Sequence, residues 1–369
     1  MEYFRGMMAG GFFAGLSRWT WLAVVGVWGA VLEQLNRPRR EDPILRRYLP
    51  AALVLTSGML SGVLANLPRL VTPKETAVTF AQPLLWDRLF PNYTFSPGIL
   101  LALLVAAGPL VVFLFWLSAS RCWLLDWTQK LMLLGSGIGL LVTGLVISTK
   151  IGGGSNLHNL DMFLLTLVFI LGAALMEQLE ARTVPFQRWP FWIHSWIVLG
   201  VLLPAWMIFS QGGPLALPSM NLAQRYVEDI QRTVDGSRAQ GEILFIDQRQ
   251  LLSFHLIKNV DMVPDYEKKY MMDQAMANNA PYFDHFYQDL ISHRFDLIIT
   301  EPLFLVKRGE DYSFGEENDA FVKWVSRPLL CYHEIKDTLD EVGVQYLVPR
   351  QGLPPADMEC PVTSLVPQK

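Results

Sequence analysis

Twelve residues between two long apolar runs, KIGGGSNLHNLD from Lys150 to Asp161, gather a cation, three glycines, two asparagines, a histidine and an acid. These residue types suit an anion. Gly152, Gly153 and Gly154 permit positive φ and close main-chain approach, and successive amides in such a turn form an anion-binding concavity. Asn156 or Asn159 is placed to cap a helix starting at Leu160, and helix N-termini attract negative charge. Lys150 adds a fixed positive charge. Asp161 falls in the first turn of an apolar helix, where an acid needs a partner, water or the helix dipole. His158, three residues earlier, shares its face if the helix begins early, so the two are expected to pair. The chemistry expected here is the holding of a phosphate at a membrane surface. The structural alternative gives the glycines to a tight turn, the asparagines to capping and Lys150 to the lipid interface.

The elements that position this loop read as membrane spans. Leu49–Leu67, Phe95–Ser118, Leu131–Ser148, Leu160–Met176 and Phe191–Phe209 approach the roughly 20 apolar residues that a bilayer crossing needs. A sixth run, Met7–Leu35, is interrupted by Arg18. A charge there marks a break, an interface or a function, so this run is expected to be one span or two short helices, for five to seven crossings. Arg37, Arg39, Arg40, Arg46 and Arg47 cluster in one loop, which the lysine and arginine bias assigns to the cytoplasm. Alternation then puts Pro68–Tyr93, KIGGGSNLHNLD and everything after Gln211 outside. The long loop includes TFAQPLLWDRLF, which mixes apolar bulk with Asp87 and Arg88 and is expected to lie on the membrane surface.

Residues 1–214 hold 15 Lys or Arg against 10 Asp or Glu, whereas residues 215–369 hold 15 against 24. A polytopic α-helical membrane domain of about six spans, 1–214, is therefore expected to precede a small, acidic, extracytoplasmic α/β domain, 215–369. The acidic balance argues against nucleic acid. In the tail, NLAQRYVEDIQRTVDG has helical spacing and GEILFID reads as a buried strand. PDYEKKYMMDQAMANNAPYFDHFYQDLISHRF reads as two helices parted near Asn279, DLIITEPL as a second strand, and IKDTLDEVGVQYLVP as a further helix and strand. That order implies a largely parallel sheet. Asp247 and Glu301 follow the two strands, and ligands gather at that edge of open sheets, so a crevice of Asp247, Gln248, Gln250 and Glu301 is expected beside the plainer reading of polar turns. Cys331 and Cys360 are either two free buried thiols or a disulfide permitted by an oxidising compartment. Cys122 lies in an inside loop. No zinc-ligand spacing occurs.

Two segments, AGGFFAGLSRWTW and GGGSNLHNLDMFLLTL, resemble the later half of the polytopic C-type glycosyltransferase (GT-C) superfamily. The resemblance implies transfer of a sugar from a polyprenyl-phosphate carrier to an envelope lipid or protein on the outer side of a bacterial inner or plasma membrane. It implies membrane lipids and the carrier as partners and leaves room for a divalent metal. It also assigns the donor phosphate to Lys150, Gly152, Gly153, Gly154, Asn156, His158, Asn159 and Asp161. The superfamily's catalytic acids lie in a first outside loop with no counterpart here, and Asp87 does not match it. Three expectations follow: a partner protein carries the missing N-terminal half, the chain is a shortened reading of a longer protein, or catalysis has been lost. The competing expectation is a non-catalytic membrane-anchored binding or assembly module.

Overall fold

The computed structural model describes residues 2–35, 43–67, 81–120, 123, 125–181, 189–211, 213, 219–237, 241–354 and 360. Arg37, Arg39, Arg40, Cys122 and the loop segment 68–80 lie outside them. The chain divides into two units, one of 1–77 and 84–213, the other of 214–369 with the short piece 78–83.

The first unit is helical: α1 Glu2–Ser17, α2 Val24–Leu35, α3 Ile44–Ala65, α4 Gly98–Ala119, α5 Trp127–Ser148, α6 Asp161–Ala181 and α7 Phe191–Gln211. Five stretches are long and apolar enough to cross a membrane: 46–65, 98–119, 127–148, 158–176 and 191–210. The interrupted run folds into two shorter helices. Ser17 Oγ turns back to the Ala14 carbonyl (2.8 Å), and a 3₁₀ turn at Trp19–Trp21 reverses the chain.

Small residues then let backbones approach, the usual means of helix association in lipid. A Cβ on Gly15 would lie 2.7 Å from the Gly62 carbonyl oxygen, and one on Gly58 would lie 2.6 Å from the Cα of Gly26. Gly11 likewise faces Gly58, and Gly62 faces Leu22. Residue numbers rise together along α1 and α3 and oppositely along α2 and α3. The pair α1–α2 is therefore a hairpin lying along α3, with its apex, Arg18, at the end where α3 finishes. Asn66 caps that end by donating Nδ2 to the Gly15 carbonyl (2.8 Å). Behind the hairpin, Val24, Ile99, Leu103, Leu140, Leu160 and Phe163 form a core joining α2, α4, α5 and α6.

The second unit contains α8 Met220–Ser237, β1 Glu242–Phe245, α9 Gln250–Ser253, α10 Lys268–Met276, α11 Ala280–Ile291, β2 Phe295–Thr300, α12 Gly315–Phe321, α13 Arg327–Tyr332, β3 His333–Leu339 and β4 Val344–Pro349. The sheet order is β1-β2-β4-β3. Strands β1 and β2 are parallel across the α10–α11 crossover, but β4 runs antiparallel to both β2 and β3. The sheet is thus mixed, against the largely parallel arrangement expected. The source of the error is IKDTLDEVG, expected as a helix, which forms most of β3 and a turn ending at Gly343 with φ +61. Ile335, Leu339 and Val342 satisfy a helical spacing, yet a ladder to β4, irregular between Ile335 and Asp337, is available and the glycine closes a hairpin.

Alternation along the strands fills two cores. Leu244, Ile298 and Leu347 face Phe283, Phe286 and Leu329 on one side, while Ile243, Phe245 and Ile299 face Ile230 and Val234 on the other. Cys331 and Cys360 form a disulfide.

Candidate functional site at the polar-loop end of the helical unit

Arg18 and Asp161, the two charges that most disturb the apolar pattern, meet. Arg18 Nη1 lies 2.6 Å from Asp161 Oδ2, and the side chains retain 36% and 29% of their exposure. The same Nη1 donates to the His158 carbonyl (3.2 Å), and Nη2 donates to Asn159 Oδ1 (3.4 Å). Asp161 Oδ1 also accepts from Trp21 Nε1 (3.3 Å) and from the Met162 amide (2.8 Å). The acid in the first turn of this long apolar helix is therefore neutralised by the apex of the α1–α2 hairpin. The expected pairing with His158 does not form. His158 instead turns to Asn156, whose Oδ1 accepts its amide (2.8 Å) and meets its ring Nδ1. Neither asparagine caps α6: a 3₁₀ turn at His158–Leu160 leads into it, and Asn159 is buried against Arg18.

This pair is expected to be coupled. Arg18→Gln or Asp161→Asn alone leaves one charge without its partner and should cost roughly 1–3 kcal/mol, a figure reduced for the remaining solvent exposure. Combining the two should recover most of that loss. Melting temperatures of the four proteins in one detergent check it, and additive losses would refute the coupling.

The glycines divide by role. Arg88, expected on the membrane surface, is instead fully buried and donates Nη1 to the Gly153 carbonyl (2.9 Å). Its aliphatic stem fills the space beside Gly154, where a Cβ would lie 2.6 Å from Arg88 Cδ. The Gly153 amide is committed to the Lys150 carbonyl (2.9 Å). Gly152, by contrast, is exposed with open space around it. Gly152, Asn156 and His158 lie at the surface and Lys150 is half-buried, while Gly153, Gly154 and Asn159 lie inside. Trp86, Phe90 and Tyr93 of the neighbouring loop remain exposed, as does Asp87.

The opposite end of the bundle carries a second ion pair, which sequence reading did not anticipate. Arg47 at the start of α3 meets Asp126, and its Nη2 lies 3.0 Å from Thr128 Oγ1. Asp126 also caps α5 through the Gln129 amide (2.8 Å). Gln129 donates to the Gln34 carbonyl (2.9 Å), and Gln34 to the Arg47 carbonyl (3.0 Å), closing a ring of α2, α3 and α5.

In the second unit, Asp247, Gln248, Gln250 and Glu301 do come to one sheet edge. Lys268, missed in the sequence because it begins a helix some 20 residues downstream, completes the group. Its Nζ lies 2.5 Å from Glu301 and 3.5 Å from Asp247. Asp247 Oδ2 accepts from the Glu301 amide (3.1 Å) and Thr300 Oγ1 (3.3 Å). Burial raises the Asp247 carboxyl above the ordinary range against the pull of Lys268. Gln248 takes a left-handed φ of 60° and accepts from Gln250 (2.6 Å). Among the described residues, no three His, Cys, Asp or Glu side chains group as metal ligands. No family model, curated protein or solved structure matches the chain.

Proposed function

We propose that the outer end of the helical unit binds the phosphate-linked head group of a polyprenyl-phosphate sugar, and that the chain is a membrane glycosyltransferase or the carrier-binding half of one. The observation that carries this reading is the meeting of Arg18 with Asp161. These residues belong to the two segments on which the resemblance to C-type glycosyltransferases rests, 143 positions apart, and they build one polar surface. Glycosyl transfer from such a donor needs a base for the acceptor and stabilisation of the departing phosphate. Lys150, the Gly152 turn, Asn156 and His158 supply cationic and hydrogen-bonding groups for the second role, with Arg18 beside them. Asp161 is engaged by Arg18, so in this reading the base is a group other than Asp161.

The orientation follows from the same reading. The arginine-rich loop faces the cytoplasm, and the Cys331–Cys360 disulfide suits a C-terminal unit in an oxidising, extracytoplasmic compartment of a bacterial cell. The neutralised acid and the buried Gly153 and Gly154 favour the second reading, a non-catalytic assembly module, because they serve packing rather than chemistry.

Binding separates the two. With Asn156 and His158 both changed to alanine, a nanodisc-embedded protein is expected to bind a polyprenyl-phosphate sugar at least about tenfold more weakly, roughly the weight of one charge-assisted hydrogen bond. Its melting temperature should hold, since both side chains are exposed and bond to each other. Undiminished binding, or none by the parent protein, supports the module instead.

A further inference from the structure

We propose that the loop 301–314 of the second unit is a lipid-seating device, which inserts Phe304, Val306 and Tyr312 into the head-group region of the bilayer. The inference does not depend on the carrier-binding reading. After β2 the chain runs extended for several residues, and its side chains alternate. Leu303 and Leu305 pack against the core while Phe304 and Val306 point outward, 55% and 74% exposed. Tyr312, 54% exposed, joins them through Arg308, whose guanidinium sits 4.3 Å from the Phe304 ring centre and 5.5 Å from that of Tyr312.

These apolar groups are held out by a firm backbone. Asp319 accepts the amides of Arg308 (2.7 Å) and Gly309 (3.3 Å), Asn318 donates to the Val306 carbonyl (3.2 Å), and Arg327 donates to the Leu305 carbonyl (3.3 Å). Gln345 accepts the Leu303 amide (3.2 Å). Two further features tighten the loop. Gly309 adopts φ +69, and Gly315 packs so closely on the Gly309 carbonyl that no side chain fits there. A loop fastened at so many points, yet presenting two aromatic rings and a valine to solvent, is built to display them.

A bilayer is the occupant of this patch. Eight residues separate the end of α7 from the start of α8, a tether of at most roughly 29 Å. The second unit is therefore tethered to any membrane that holds α7, which raises the effective concentration of its apolar patch at that surface. Rings combined with a cation match the interfacial region, where aromatic bodies sit among phosphates. The side chains of Lys307 and Arg308 form no ion pair among the described residues, and Glu310 and Asp311 follow them. Four charges of balanced sign imply attachment by insertion, with little dependence on anionic lipid or salt.

The test is spin labelling of the full chain in phosphatidylcholine nanodiscs, in a Cys122→Ser background. A label at Val306→Cys is expected to collide mainly with oxygen, the lipid-phase relaxant. One at Lys336→Cys, exposed on β3, should collide mainly with a water-soluble nickel chelate. Equal nickel accessibility at the two positions overturns the proposal. Shielding of the first label from both relaxants overturns it as well, since that is the signature of a protein partner. Raising the salt to about 1 M, which shortens the screening length to roughly 3 Å, should leave the oxygen preference unchanged, and its loss would refute attachment by insertion.

Discussion

Gly154→Ala is expected to destabilise the helical unit by roughly 2–4 kcal/mol, from a strained left-handed backbone and overpacking together. Gly154 holds φ +77, and the Cβ would strike Arg88 Cδ and Cβ. Arg88 cannot swing away freely, because it is fully buried and its guanidinium holds the Gly153 carbonyl. Gly152→Ala provides the comparison. Its φ of +67 carries a similar backbone penalty, roughly 1–2 kcal/mol, but a Cβ there meets open space. Melting temperatures in detergent should therefore fall much further for Gly154 than for Gly152. Under the proposed function, binding of a polyprenyl-phosphate sugar by the protein that remains folded should show the opposite order, since Gly152 lies at the surface and Gly154 is buried. Equal losses of stability at the two positions would remove the distinction between a packing glycine and a binding glycine.

The second large effect is acid destabilisation of the α/β unit through His333. This residue begins β3 with no solvent exposure, donates Nε2–H to the Phe295 carbonyl (3.1 Å), and leaves Nδ1 without a partner among the described residues. Burial, opposed by that hydrogen bond and assisted by nearby His293, lowers its pKa from 6.5 to about 4. The unfolded chain therefore takes up a proton near pH 6.5 while the folded one refuses it until about pH 4. Stability is intact above the higher value and is lost as pH falls through the window between them. The full loss is roughly 3 kcal/mol for a shift of this size.

Calorimetry of the full chain in detergent at several pH values between 4 and 7.5 reads this directly, with the transition of the α/β unit identified by its sensitivity to dithiothreitol. His333→Gln keeps a donor for Phe295 and cannot titrate, so its transition should depend much less on pH over that range. An unchanged pH dependence would place the proton uptake elsewhere.

Much of the architecture was legible because long apolar helices are marked by run length and composition. The five apolar stretches reappear with ends shifted by a few residues, and the Arg18 interruption became a helical break. The α/β tail was legible where periodicity was unambiguous: GEILFID and DLIITEPL became β1 and β2, and the two helices part at Asn279. It failed at IKDTLDEVG, whose pattern fits two periods and whose choice rests on a strand that comes later. In the candidate site, the residue types of the polar loop were legible but their partners were not. Arg88 looked like an interfacial cation because nothing local shows that a glycine turn 65 positions away, at Gly153, will close over it. Lys268 escaped notice for the same reason, since a crossover helix returns it to the strand ends.

By itself, then, the sequence determined which segments are long and apolar enough to cross a membrane, which are polar, and where a charge or a glycine breaks the pattern, because those properties are carried by single residues and their immediate neighbours. Only the tertiary structure decided that Asp161 answers to Arg18 rather than His158, and that Gly154 packs against Arg88. Both outcomes depend on how the α1–α2 hairpin folds back along α3 and how the loop at 84–98 tucks beneath the polar turn. Pairings between such distant segments follow from close packing, which no local pattern encodes.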